Sequence, residues 1–223
     1  MDFRHEWKHE ISLSDMITIR QRMRAIAKPD EHAVDGKYQI RSLYFDTPSD
    51  KALREKLDGV NQREKFRIRY YNDNLSVIHL EKKSKLGGLG NRQMCSLTRE
   101  EAQAIVDGNL GWMLHSNRPL VQELYTKMTL QGLRPKTIVD YIREPFVYGP
   151  GNIRVTLDYD IRTGLDCVDF LNRNCVMIPA GDAPIILEVK WDNFLPSIIR
   201  SAVQLPNRRT GAFSKYAACR IYG

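Results

Sequence analysis

The chain has 223 residues, 42% hydrophobic and 27% charged. That balance excludes collagen-like, wholly disordered and disulfide-scaffold classes, and the length suffices to bury a core unaided. Lys plus Arg number 34 against 27 Asp plus Glu, a net charge of +7 that favours a polyanionic partner: nucleic acid, phosphate compounds or an acidic membrane face.

Residues 3–11 alternate with the period of a strand. Arg4, Glu6, Lys8 and Glu10 share one face, and Phe3, Trp7 and Ile11 the other. Ser14 is expected to cap a helix over 15–27 with a stripe of Met16, Ile19, Met23 and Ile26. Residues 38–46, aromatic and β-branched, predict a second strand. Thr47 and Pro48 open a helix that Asp58-Gly59 ends. Residues 63–71 set Lys65, Arg67, Arg69 and Tyr71 opposite Phe66 and Ile68, and residues 75–83 set His79, Glu81 and Lys83 opposite Ile78 and Leu80. Residues 85–91, with Gly87, Gly88 and Gly90, read as a loop before a short strand over 92–97. Thr98 and Glu101 form a capping box for a helix stopped by Gly108. Asn117 is expected to cap another, bearing Leu120, Leu124 and Met128 and ending at Gly132. Residues 137–143 put Val139, Tyr141 and Arg143 on one face. Residues 153–161 put Arg154, Thr156, Asp158 and Asp160 on one face and Ile153, Val155, Leu157, Tyr159 and Ile161 on the other. A short strand is expected near 174–178, and residues 185–191 place Glu188 and Lys190 opposite Leu187 and Val189. Helices follow Pro196 and span 213–219.

No linker or repeat divides the chain, so residues 1–223 are read as one α+β domain. No segment nears the ~20 apolar residues of a membrane span. The charges of Asp2, Arg4 and Glu6 stand where a signal peptide needs an apolar core, so a cytoplasmic protein is expected. Cys95, Cys167, Cys175 and Cys219 have neither disulfide-motif nor zinc-ligand spacing, which fits reduced thiols. The five histidines also lack metal-ligand spacing.

The polar strand faces are unusual. They carry Lys8, Lys65, Arg67, Arg69, Lys83, Arg143, Arg154 and Lys190, interleaved with Glu6, Glu10, Glu81, Asp158, Asp160 and Glu188. Two arrangements satisfy the pattern. One is a sheet with a solvated face and helices on the other side. In the other the sheet curls so that the charged faces meet, as in a barrel of about eight strands. Cations facing inward cannot stay unpaired and dry, so such a cavity must stay wet, hold carboxylates and take a polyanion. Carboxylates there could also hold a divalent cation bridging phosphate oxygens, while arginine grips phosphate bidentately. Alternation from Glu81 turns Lys83 inward rather than Lys82, unless a bulge intervenes. Asp158 and Asp160 could bind metal, or pair with Arg154 and Arg143.

The segments Glu6-Trp-Lys8, Ser42-Leu-Tyr-Phe-Asp46, Phe66-Arg-Ile-Arg69, Leu80-Glu-Lys-Lys83, Ile153-Arg-Val-Thr-Leu-Asp158, Leu187-Glu-Val-Lys190 and Phe213-Ser-Lys-Tyr216 together resemble the VTC domain. That is the catalytic domain of the vacuolar transporter chaperone complex, found also as a stand-alone bacterial protein among the triphosphate tunnel metalloenzymes. The resemblance runs in family order from residue 6 to residue 216. It implies an eight-stranded antiparallel β tunnel with helices outside and a C-terminal helix at one mouth. It implies a polyphosphate polymerase that moves the γ-phosphate of ATP onto a polyphosphate chain with Mn²⁺ or Mg²⁺ and releases ADP. Carried over by position, Lys8, Arg67, Arg69, Lys83, Arg143 and Arg154 would grip phosphates. Ser214 and Lys215 would contact phosphate from the terminal helix, and Arg92 would add a basic position after the glycine loop. Glu6, Glu81 and Lys190 would line the substrate path; Glu188 would be the main metal ligand, with Asp158 beside it. ATP and polyphosphate are then the partners and nucleic acid is not; any export of product would need a membrane protein.

Two departures stand out. The Glu-x-Glu-x-Lys signature of tunnel enzymes is here Arg4, Glu6, Lys8, with one carboxylate before the lysine, which fits the polymerase branch better than the triphosphatase branch. Gly211-Ala212 precede Phe213 where the family is often more basic, with Arg208 and Arg209 upstream. On the same tunnel a tripolyphosphatase or nucleoside triphosphatase, or a non-catalytic polyphosphate or inositol phosphate binder, are the alternatives. A nucleic-acid binder would explain the charge but not its confinement to strand faces.

Overall fold

In the computed structural model, which describes residues 4–87, 89–205, 211 and 213–220, the alternating segments assemble into one antiparallel sheet. Its strands are β1 (His5–Ile11), β3 (Tyr38–Asp46), β4 (Arg63–Tyr71), β5 (Ile78–Leu86), β6 (Leu89–Leu97), β7 (Arg134–Tyr148), β8 (Ile153–Thr163) and β10 (Ile185–Trp191). The spatial order is β1-β10-β8-β7-β3-β4-β5-β6, with two-residue strands β2 (Lys28–Pro29) on β7 and β9 (Ile178–Pro179) on β8. The sheet curls into a half-barrel with its charged face inside, so the expected eight-stranded tunnel is the arrangement adopted.

Alternation puts the apolar residues on the outer face, where helices cover them. One outer core joins Leu43, Phe66, Ile68 and Leu80 to α3 (Arg99–Val106), α4 (Gly111–Leu114) and α5 (Pro119–Gln131). The other joins Val155, Leu157, Leu187 and Val189 to α1 (Leu13–Ile26) and α6 (Ser197–Val203). A third cluster lies on the inner face at one mouth. There Tyr38, Tyr44, Tyr141, Ile161 and Ile186 receive Tyr216 and Cys219 of α7 (Lys215–Arg220). Burying these three apolar faces holds the helices on the sheet.

Several boundaries differ from the sequence expectation, each for a local reason. Helix α1 is capped by Ser12, not Ser14: the Ser12 hydroxyl accepts the Asp15 N–H and the Asp15 carboxylate accepts the Ser12 N–H, a complete capping box. Helix α2 (Lys51–Leu57) begins after Pro48. The buried Asp46 carboxylate takes the N–H groups of Ala52 and Leu53 and thereby fixes its first turn. Helix α5 starts at Pro119 after Arg118, so Asn117 is not its cap. The segment 85–91 is mostly strand, with β5 and β6 pairing out to Leu86 and Leu89. Strand β5 begins only at Ile78, and β7 extends well past 137–143 in both directions. Residues 174–178 contribute only the start of β9, at Ile178.

One irregularity re-aims side chains. The β7–β8 register shifts between Asp140 and Ile142, and Asp160 has a φ of 50°, a bulge in the left-handed region. Beyond it the alternation inverts: Ile161 turns into the inner cluster, while Asp160 turns out and pairs with Arg162 at 2.9 Å. Asp160 therefore neither lines the lumen nor pairs with Arg143 or Arg154.

Candidate active site

The inner face gathers cations from across the sheet. Lys8 comes from β1, Lys65, Arg67 and Arg69 from β4, Lys83 from β5, Arg143 from β7, Lys190 from β10 and Lys215 from α7. Four carboxylates on that face, Glu6, Glu81, Asp158 and Glu188, are each met by more than one cation.

Glu81 lies between two arginines. Arg67 Nε is 2.8 Å from Glu81 Oε2, and Arg69 Nη1 is 3.9 Å from Oε1. Burial alone would raise the Glu81 pKa, but Arg67 and Arg69 outweigh it and hold it at about 2. Arg69 is nearly buried, with its remaining donors on the hydroxyls of Ser42, Tyr71 and Tyr141 at 3.0–3.2 Å. Arg67 also donates to the Tyr44 hydroxyl at 2.8 Å. These hydroxyls and Glu81 together fix the position of both guanidinium groups.

Asp158 is fully buried and takes Arg143 in a fork, 2.6 Å from Nε and 2.7 Å from Nη2, while Lys215 contacts the same carboxylate. Burial opposes its charge, yet Arg143 and Lys215 hold its pKa below the usual range. This ties α7 to β8. Further anchors of α7 include Tyr216, donating to Asp46 at 2.6 Å, and Arg220, which reaches Asp50 at 3.1 Å.

The third group joins β1 and β10. Lys8 Nζ is 3.1 Å from Glu6 and 3.3 Å from Glu188, while Lys190 is 3.4 Å from Glu6 and also bonds Glu188. Burial works against the Glu188 charge, but Lys190, Lys8, Arg143 and Lys215 lower its pKa well below the ordinary value. Lys8 is raised, because Glu188 and Glu6 overcome its desolvation. Lys83 projects into the lumen, whereas Lys82 points outward to Glu64 and Glu123.

Other residues proposed from sequence lie at the periphery. Arg154 is on the inner face but pairs with Asp30 at 3.0 Å near one mouth. Arg92 is exposed on edge strand β6, opposite Lys83. Ser214 precedes α7, and its hydroxyl accepts the Ala217 N–H at 3.3 Å, leaving its own hydrogen free to donate. Arg208, Arg209 and Ala212 lie outside the described residues. The four cysteines are free thiols.

Sequence reasoning gave no role to Tyr44, Tyr71, Tyr141, Tyr216, Ser42 or Asp46. The available signal was period-two alternation within 38–46 and 137–143, which places Ser42, Tyr44, Asp46 and Tyr141 on the face of the cations.

Among the described residues, no group of three or more His, Cys, Asp or Glu side chains could hold a metal alone. Glu188 and Glu6 are a carboxylate pair that shares Lys8 and Lys190. Such a donor set fits a hard cation that takes one or two carboxylates and completes its shell with substrate phosphates and water.

The family model for the VTC domain matches residues 3–221. No curated protein gives a significant match. Among solved structures, a candidate adenylate cyclase from Bacillus halodurans aligns at 14% identity over 90% of this chain and 84% of that one, with a TM-score of 0.52. A candidate adenylate cyclase from Vibrio parahaemolyticus is 12% identical over 90% and 82%, with a TM-score of 0.48. A Pyrococcus horikoshii protein is 14% identical over 90% and 84%, with a TM-score of 0.44. The first shows a shared fold and nothing more, and the other two are too distant to add to it. The match to the family model spans nearly the whole chain, and the chain belongs to the VTC domain family.

Proposed function

We propose that the protein is a metal-dependent polyphosphate polymerase that transfers the γ-phosphate of ATP to a growing polyphosphate chain and releases ADP. One observation carries this: cations from β1, β4, β5, β7, β10 and α7 converge on a single lumen and outnumber the carboxylates there. Such a lumen is unfavourable until an anion enters it, and a linear chain of phosphates presents many anionic oxygens along one axis.

The division of labour follows from side-chain chemistry. Arg67 and Arg143, whose Nε and Nη2 are held by Glu81 and Asp158, have further N–H groups on Nη1 and Nη2 to give to phosphate oxygens. Lys8, Lys83 and Lys190 act as mobile point charges that follow the chain. Phosphoryl transfer needs in-line positioning and charge neutralisation rather than covalent help from protein. The attacking oxygen of a terminal phosphate is already ionised near neutral pH, so no general base is required. Glu188, with Glu6, would hold Mn²⁺ or Mg²⁺, which when bound supplies neutralisation of charge on the transferring group. Phosphates would draw Lys8 and Lys190 away from these carboxylates and free their oxygens.

The scarcity of carboxylates favours this over a tripolyphosphatase, which must also orient water. The inward placement of the cations counts against nucleic acid, which needs a basic outer surface. No helix among the described residues is long and apolar enough to cross a membrane. The test is incubation of purified protein with ATP and Mn²⁺. ADP and a long-chain phosphate polymer are expected; orthophosphate without polymer would overturn the proposal in favour of hydrolysis.

A further inference from the structure

Thr156 lies at the middle of β8, between Arg154 and Asp158 on the lumen face. Its cross-strand partners are Glu188 of β10 and Pro145 of β7. The residue is 2% exposed, and its hydroxyl has no hydrogen-bond partner. Other hydroxyls on the inner face are engaged. Ser42 accepts from Arg69 at 3.0 Å, Thr137 and Thr163 lie 3.3 Å apart, and Thr163 also donates to the Cys219 carbonyl at 3.1 Å. Threonine at position 156 thus leaves unmet a need that the isosteric valine would not have. Buried polar groups left unpaired are uncommon and mark strain, a bound ion or a ligand. The backbone around Thr156 is in regular antiparallel pairing with β10, which gives no sign of strain.

The surroundings indicate which ligand would complete the bond. Glu188 opposite Thr156 carries Lys8 and Lys190, and Asp158 two residues along carries Arg143 and Lys215. A hydroxyl among so many cationic donors is best used as a donor to an anion that those cations hold. We infer that Thr156 is a phosphate-binding residue, its hydroxyl donating to a phosphoryl oxygen of a chain seated among Lys8, Arg143 and Lys190. The inference rests on the lumen being a phosphate site and adds a neutral, directional contact to it. The neighbouring charges set overall affinity; a single fixed hydroxyl sets where along the chain a phosphorus atom comes to rest.

The test is titration calorimetry with inorganic tripolyphosphate, alongside thermal melting of the free proteins. Thr156→Val should bind about ten- to a hundred-fold more weakly than wild type, the worth of one hydrogen bond to a charged acceptor. Thr156→Ser, which keeps the hydroxyl, should bind within about two-fold of wild type. Free Thr156→Val should melt at or above the wild-type temperature, because a hydroxyl without a partner contributes nothing to the free fold. Should valine prevent folding, Thr156→Ala supplies the same affinity comparison. Equal affinity of the valine or alanine variant and wild type overturns the inference and leaves the phosphate lumen standing. A clear fall in the melting temperature of Thr156→Val, with unchanged binding, overturns it in favour of a structural hydroxyl. If wild type itself does not bind tripolyphosphate, the phosphate lumen falls and the inference falls with it.

Discussion

Lys83 of β5 stands 4.0 Å from Glu6 of β1, although these strands lie near opposite ends of the sheet order. Only a curled sheet brings them together, and the contact makes Lys83 part of the cluster built on Lys8 and Lys190. Its side chain is 44% exposed, yet it sits in a crowded, wet lumen. Burial there, with Lys8 close by, brings its pKa down to about 7 against the pull of Glu6.

Replacing Lys83 with alanine should therefore separate binding from folding. Glu6 keeps Lys8 and Lys190, so the stability change should stay within about 1 kcal/mol, as for other half-exposed pairs. Affinity for tripolyphosphate should fall by about ten-fold or more, since one inward cation is lost. Thermal melts and calorimetry on the same sample check both halves.

Glu81 should contribute to acid unfolding. Its folded pKa, near 2, is below the ordinary value of about 4.3, so its stabilising effect is present above about pH 4.3 and is lost as pH falls toward 2. Glu81→Gln should be less stable at neutral pH by about 3 kcal/mol, because Arg67 and Arg69 lose their shared counter-charge. Its stability should also depend less steeply on pH over that window. Asp158 and Glu188, depressed in the same sense, should keep the slope from vanishing. Denaturant melts across the acid range measure this.

Tyr44 and Lys65 bring a dependence near neutrality. Tyr44 is buried, which would raise its pKa, but Arg67, Lys65 and Arg69 bring it down to about 7. Lys65 is lowered to about 8, by burial first and then by Arg67, Lys8 and Lys215, against the pull of Tyr44. As pH rises, Tyr44 gains negative charge and Lys65 then loses positive charge, so both changes weaken polyanion binding. Comparing wild type with Tyr44→Phe at each pH cancels the ligand's own titration. The two should bind tripolyphosphate alike at about pH 6, with the variant several-fold tighter by about pH 8.5.

The two carboxylates expected to meet metal should behave differently. Both oxygens of Asp158 are engaged by Arg143, while Lys215 adds a further bond. Asp158→Asn should lower stability by about 3–5 kcal/mol, the scale for breaking a buried pair. Glu188→Gln, which takes a buried counter-charge from Lys8 and Lys190, should lower stability as well, but it alone should also weaken Mn²⁺ binding in the presence of tripolyphosphate. Electron paramagnetic resonance of bound Mn²⁺ reads the difference without needing turnover.

Much of this lumen was legible as period-two alternation. Strands 38–46, 63–71 and 185–191 have the bounds expected of them, the first from its aromatic and β-branched content and the other two from alternation of charged and apolar residues. The inward choice of Lys83 over Lys82 followed from the same rule. Alternation failed where the backbone departs from ideal pleat. The left-handed Asp160 inverts the end of β8, and its only sequence sign is that aspartate tolerates that conformation better than most residues. The glycines of 85–91 suggested a loop, yet pairing carried both strands nearly to Gly87, which alone of the described glycines there has positive φ, at 58°. The tyrosine hydroxyls that aim Arg67 and Arg69 come from β3, β4 and β7, and only their neighbourhood in the folded sheet shows that they meet.

The most direct test of the converging lumen is a crystal structure with a non-hydrolysable ATP analogue and Mn²⁺. The triphosphate should lie inside the half-barrel, contacted by Arg67, Arg143 and Lys83, with the cation at Glu188. A triphosphate bound only on the outer surface, with the lumen side chains still paired to one another, would contradict the account.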